Sequence, residues 1–182
     1  VVAFDPEWQH LKQAEILPEG FAVLSRPVGL DKTVCQYRTT RDITLQPIYL
    51  ADARLQTEPD GRAAIRLRFE CGSKVDWAKS GIDKVALYLD AESPVASALH
   101  LALTRRVHAM YARHAATHTG RIRFNGWCKP MGFEDNERLW PKGDAAFSGY
   151  QLLLEYFSFR QKFMFVELRG LELAGLNPDT TW

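Results

Sequence analysis

The stretch from Phe147 to Leu168, FSGYQLLLEYFSFRQKFMFVEL, changes its hydrophobic period partway along, and that change restricts what the chain can fold into. Ser148 and Gln151 have the S-x-x-Q spacing of a capping box, and Phe147 and Leu152 occupy the two positions of a hydrophobic staple. The spacing predicts a short helix over about 148–157, with Tyr150, Leu153, Leu154 and Phe157 along one face. After Gln161 the period becomes two. Phe163 and Phe165 fall on one side; Met164, Val166 and Leu168 fall on the other. A strand that is apolar on both faces belongs at the centre of a sheet, covered from both sides. Most of this run is therefore expected to be core.

The other segments add strands and one long helix. VVAFD opens the chain as a short strand, and LPEG at Leu17–Gly20 is a turn before FAVLS resumes extended structure. TVCQYRTTRDITLQPIYLADARLQ alternates as two strands, with the donor-free Pro47 marking a break. Pro59–Gly61 reads as a hairpin turn between Leu50–Glu58 and Arg62–Cys71. In the second arm Ile65, Leu67 and Phe69 point one way, and Arg66, Arg68 and Glu70 the other. KVALYLD is a further strand. Ser93 and Pro94 suit the start of a long helix over about 93–115, striped by Leu99, Leu103, Val107, Met110 and Tyr111, with Gly120 near its stop. GRIRFNGW reads as a strand with Ile122 and Phe124 inward, and Cys128 to Ala146 as a long loop. The class is α+β and β-rich, with sandwich-like sheets and two helices, arranged as a single domain over 1–182.

A chain of 182 residues can remove roughly 70% of its unfolded surface from water, so it needs no metal or disulfide staple. The net charge of +1 gives no bulk attraction to nucleic acid or an acidic membrane. Cys35, Cys71 and Cys128 are odd in number and widely spaced, which describes free thiols rather than a disulfide framework. No apolar run reaches the length of a membrane span, and no signal peptide opens the chain.

Motifs for chemistry are missing. Gly-rich phosphate loops, GxSxG, CxxC and HExxH do not occur. His114 and His118 are four apart but sit where the long helix should fray, so solvated helix-end histidines are expected rather than metal ligands. His100 and His108 are expected on the helix's polar side, exposed. Cys128 beside Lys129 has an ingredient of a reactive thiol but no placed base, and a structural role is expected. Glu134, Asp135 and Glu137 beside Trp140 contain the ingredients of a carbohydrate-binding or hydrolysing site; three acids on one loop do not establish the fixed separation glycoside hydrolysis requires. Arg121, Arg123 and Trp127 mix basic and aromatic groups as nucleic-acid-binding sheets do, yet simple strand alternation explains them.

Three segments in order resemble one family. LPEGFAVLS followed by CQYRTTRDITLQPIYLADARL, then GFEDNERLWP, then FSGYQLLLEYFSFRQKFMFVELRGL are similar to the middle region of the type VI secretion system baseplate subunit TssF, also called ImpG or VasA. The chain departs from the family pattern at Arg160, where a proline is usual, at Gln46, where tryptophan is frequent, and at Met131, where valine precedes the glycine. The resemblance implies a middle domain of a longer protein, and structural work rather than catalysis. It implies TssG, TssK, TssE and other TssF copies as partners, with the sheath–tube complex above. It implies assembly in the bacterial cytoplasm on a baseplate docked to the inner-membrane complex, with no cofactor, no metal, no nucleic acid and no direct membrane insertion. Interfaces of this kind use aromatic and Arg anchors. By residue type and loop placement the interface candidates are Trp127, Phe133, Arg138 and Trp140. The alternative for these aromatics is that they pin the long loop to its own domain.

Overall fold

The computed structural model describes residues 11–72, 75, 82–113, 120–140 and 147–171. The opening VVAFD strand and the pair His114 and His118 lie outside the described residues.

The core forms around β11 (Phe165–Arg169), the centre of a three-stranded antiparallel sheet. β10 (Trp127–Pro130) flanks it on one side and β7 (Lys84–Tyr88) on the other. Val166 pairs with Leu87 and Pro130, and Leu168 with Val85 and Cys128. Val166, Leu168, Val85 and Leu89 are buried, with Phe163 beside them in the 3-10 turn Arg160–Met164. The two-residue period after Gln161 thus encodes the central strand, although Phe163 and Met164 precede the strand proper.

α1 (Ser93–Arg105) packs against β10 and β11. Pro94 sits in its first turn, where a missing N–H costs nothing, and Glu92 holds the N-cap position in place of Ser93. Ala96 is the buried residue of this helix, and its small side chain lets the backbone approach the sheet. The helix stops at Arg105, ten residues short of the boundary the stripe predicts. Arg106 leaves helical geometry, and Met110–Ala112 forms β8, paired with β9 (Ile122–Phe124). Val107, Met110 and Tyr111 therefore belong to a connection and a strand. β-Branched and aromatic residues fit a pleated surface well, and the cross-strand pairs Met110–Phe124 and Tyr111–Arg123 override the helical spacing.

β10 is a second departure, since the loop predicted from Cys128 begins with a paired strand. Its Pro130 is tolerated because β10 is an edge strand and Pro130 ends it.

The remaining strands form small antiparallel pairs. β1 (Glu15–Leu17) pairs with β4 (Ile43–Leu45), and β2 (Ala22–Leu24) with β3 (Gln36–Arg38). Pro47 is buried between β4 and the long β5 (Ile48–Thr57), as its missing donor predicts. β5 and β6 (Ala63–Cys71) form the predicted hairpin. Gly61 takes the left-handed φ of 82° at its turn, and the Glu58 N–H donates to the Arg62 carbonyl at 2.8 Å. The class is α+β, with two α-helices among the described residues, the first the longer. Among the described residues the strands are shared among five small sheets, not two large stacked ones. Among the described residues, no helix is long and apolar enough to cross a membrane.

Candidate interaction surface

α2 (Ser148–Ser158) begins with Phe147 in the N-cap position, one residue earlier than the capping-box spacing places the cap. Phe147 has no polar side-chain atom to cap with; its ring meets Tyr150 edge-on at 5.7 Å. Gln151 turns to the loop Met131–Trp140. Its Oε1 accepts from Arg138 Nη1 at 2.7 Å, and its Nε2 donates to the Trp140 carbonyl at 2.7 Å.

The helix buries its polar face. Glu155 is 1% exposed and accepts the Leu139 backbone N–H at 3.0 Å. It is ion-paired to Lys162, which is 5% exposed in the 3-10 turn. One carboxylate thus ties three segments: α2, the loop and the turn before β11. Gln151 and Glu155, four apart, lie on the same helical face, and the loop offers them backbone groups and Arg138.

The loop is held from within as well. Glu137 Oε2 accepts N–H bonds from Gly132 at 2.7 Å and Glu134 at 3.1 Å, closing a capping box with Glu134 around the 3-10 helix Asp135–Glu137. Arg41 reaches Glu137 at 3.5 Å. Gly132 has φ 97°, and a Cβ there would lie 3.0 Å from the Lys162 carbonyl oxygen, so the tight approach of the loop to the turn requires glycine.

These contacts place the four candidates. Phe133 packs on buried Phe163 with ring centroids 5.1 Å apart, yet remains 52% exposed. Trp140 is 43% exposed at the loop's end. Arg138 is engaged by Asp135 and Gln151, so it braces the loop. Trp127 stands apart at the first residue of β10, opposite the end that leads into the loop.

The acids of the loop are each engaged locally: Glu134 with Lys129 at 2.8 Å, Asp135 with Arg138, and Glu137 with backbone N–H groups and Arg41. Glu134 and Asp135 are exposed rather than gathered in a cleft. Lys129 turns to Glu134, while burial pushes the Cys128 thiol upward, away from a reactive thiolate. Arg121 is ion-paired with Glu58 at 2.7 Å and sits over the Tyr111 ring. Among the described residues no three of His, Cys, Asp and Glu come together to hold a metal. His108 is exposed as expected, but His100 is part-buried; burial lowers its pKa and leaves Nε2 without a hydrogen-bond partner among the described residues.

The opposite face of α2 was expected to be core and is in water. Phe147, Tyr150, Leu153, Leu154 and Phe157 follow helical spacing, and each is more than half exposed; Tyr150 reaches 74% and Phe157 82%. At about 200 Å² per fully exposed ring, the three aromatics alone leave roughly 450 Å² uncovered. That lies within the ~300–600 Å² of the largest patch on an ordinary monomer, which is often functional. The signal was present in the sequence: Gln151 and Glu155 share the other face, and Glu155 stands seven residues before Lys162.

With this geometry in hand, comparison with known proteins is specific. Residues 1–182 match the model of the type VI secretion system TssF family, and the chain belongs to that family. It is 31% identical over 164 residues to type VI secretion system component TssF1 of Pseudomonas aeruginosa, covering 79% of this chain and 25% of that protein. A chain in the cryo-electron microscopy structure of a TssK-TssF-TssG baseplate subcomplex superposes with a TM-score of 0.88 at 49% identity, over 97% of this chain and 33% of that one. A chain in a structure of the type VI secretion baseplate complex gives a TM-score of 0.53 at 52% identity, over 88% of this chain and 27% of that one. The chain thus spans about a quarter to a third of the length of these relatives.

Proposed function

We propose that this chain is one β-rich domain of a structural subunit of the type VI secretion baseplate wedge, and that it works by packing rather than by bond-making. The superposition on a third of a chain in a TssK-TssF-TssG subcomplex, at 49% identity, carries this reading. TssG, TssK, TssE and other TssF copies are the partners, with the sheath–tube complex resting on the assembled wedge. The baseplate assembles in the bacterial cytoplasm, docked to the inner-membrane complex, and the domain needs no cofactor and performs no turnover.

Rigidity is the mechanism the geometry supports. Glu155, Arg138 and Glu137 lock the loop, α2 and the turn before β11 into one body. That body presents the apolar face of α2, while Phe133 and Trp140 stand part-exposed on the loop that grips the helix's other face. Trp127 and Arg138 complete the set, Trp127 as a separate anchor and Arg138 as a brace. Aromatic anchors on a pre-ordered surface lose little conformational entropy on docking. The test is co-purification of the tagged full-length protein with TssG and TssK. Recovery of both is expected. A folded full-length protein that recovers neither overturns the proposal.

A further inference from the structure

Charge is distributed unevenly along this near-neutral chain. From Ser93 to Phe133 there is no Asp or Glu, while Arg105, Arg106, Arg113, Arg121, Arg123 and Lys129 all fall within that stretch. The fold concentrates part of this excess around a cavity of about 220 Å³ between the C-terminal turn of α1, β9 and the start of β10. Arg105, His108, Arg123, Asn125 and Trp127 line it, over an apolar base that includes Phe124. Arg121 and Lys129 are already paired with Glu58 and Glu134. Among the described residues Arg105 and Arg123 have no ion-pair partner, and none of those that line the cavity is a carboxylate. The carbonyl end of α1 contributes about half a negative charge, less than the two guanidiniums supply. The site is a net-positive hollow beside an indole that is 51% exposed.

Its size selects the occupant. A cavity of about 220 Å³ is below the ~300–1,000 Å³ of small-molecule sites, and it suits one side chain. The neighbouring β8–β9 ladder has no third strand among the described residues, so it offers backbone hydrogen bonds to another polypeptide. A single exposed tryptophan and two free arginines are the residue types that dominate protein–protein hot spots. They form too small a basic track for a nucleic-acid strand, whose binding sites line up several cations and stacking rings.

We infer that this cavity seats an acidic segment of a neighbouring protein in the assembly, with a carboxylate between Arg105 and Arg123 and an adjoining apolar side chain on Trp127. The inference rests on the baseplate reading for the neighbour being a protein. It also gives Trp127 a role separate from the loop and α2.

The experiment uses the full-length protein carrying the photo-crosslinker p-benzoylphenylalanine at position 127, assembled with TssG and TssK. The crosslinked peptide is identified by mass spectrometry. The expected result is a peptide from a protein neighbour with at least two Asp or Glu residues flanking the crosslink. R105E/R123E should lower the crosslink yield about tenfold through like-charge repulsion, while R105K/R123K keeps most of it. A crosslink to an acid-free peptide or to nucleic acid, no crosslink, or a yield unchanged by the charge reversal overturns the inference. The identity of the crosslinked peptide decides the matter even if R105E/R123E fails to fold. Absence of TssG and TssK from the preparation would instead sink the baseplate reading itself.

Discussion

Replacing Lys162 with methionine removes the ammonium that faces Glu155 and keeps most of the side chain's length and volume. Both residues are almost out of water, at 1% and 5% exposure. In Lys162→Met the Glu155 carboxylate retains the Leu139 N–H at 3.0 Å and the longer Gln151 bond at 3.4 Å, but no countercharge at its other oxygen. Breaking a buried pair by deleting one partner costs about 3–5 kcal/mol, because the remaining charge stays desolvated and unmatched. That is a large share of the 5–15 kcal/mol that holds a typical domain folded. Glu155→Leu strands the ammonium instead and should cost a similar amount. The double variant removes both charges and leaves the Leu139 N–H without its acceptor. An orphaned buried donor costs about 1–3 kcal/mol, partly offset by the new apolar packing. The double variant should therefore be less damaging than either single, with a coupling of at least about 3 kcal/mol. Equilibrium urea unfolding followed by circular dichroism, across parent, singles and double, measures this cycle. Singles within about 1 kcal/mol of the parent, or effects that simply add, would refute the idea that the pair clamps α2, the loop and the turn.

Three further outcomes follow from other parts of the molecule. Phe163→Ala empties the space between Phe133 and Tyr156 and should lower stability by about 3–5 kcal/mol in the same urea assay. Gly132→Ala puts a Cβ at a left-handed φ of 97° and against the Lys162 carbonyl, and should cost about 1–3 kcal/mol in thermal unfolding, with the loop rather than the sheet losing amide protection. The hydrogen bond from Arg121 holds the Glu58 carboxyl below its ordinary value, with Gln56 adding to it. A depressed carboxylate contributes stability above its unfolded pKa, near 4.3, and loses it as pH falls through the folded value. Arg121→Ala should move the Glu58 carboxyl upward in an NMR titration; an unmoved titration contradicts the pairing.

Local chemistry made several features legible in advance. The Pro59–Gly61 turn, the break at Pro47 and the central position of β11 follow from a left-handed glycine, a missing donor and a two-sided apolar period. The end of α1 was not legible, because Val107, Met110 and Tyr111 satisfy a helical stripe equally well, and only pairing with Ile122–Phe124 decides against it. The direction of α2 was missed for a deeper reason. Periodicity states that Tyr150, Leu153, Leu154 and Phe157 share a face, but not whether their own domain covers it. Glu155 and Gln151 occupy the inner face because Lys162, Arg138 and the Leu139 N–H lie there. Of the site candidates, Phe133 and Trp140 stand near that face on the locked loop, and Trp127 lines a different cavity.

Hydroxyl-radical footprinting of Phe147, Tyr150 and Phe157 in the assembled full-length complex tests most directly whether the helix face serves packing. A free peptide spanning 147–158 provides the fully exposed reference. Strong protection of all three rings is expected in the complex. Rings that react as fast in the assembly as in the peptide would contradict a packing role, because the face would then meet only solvent.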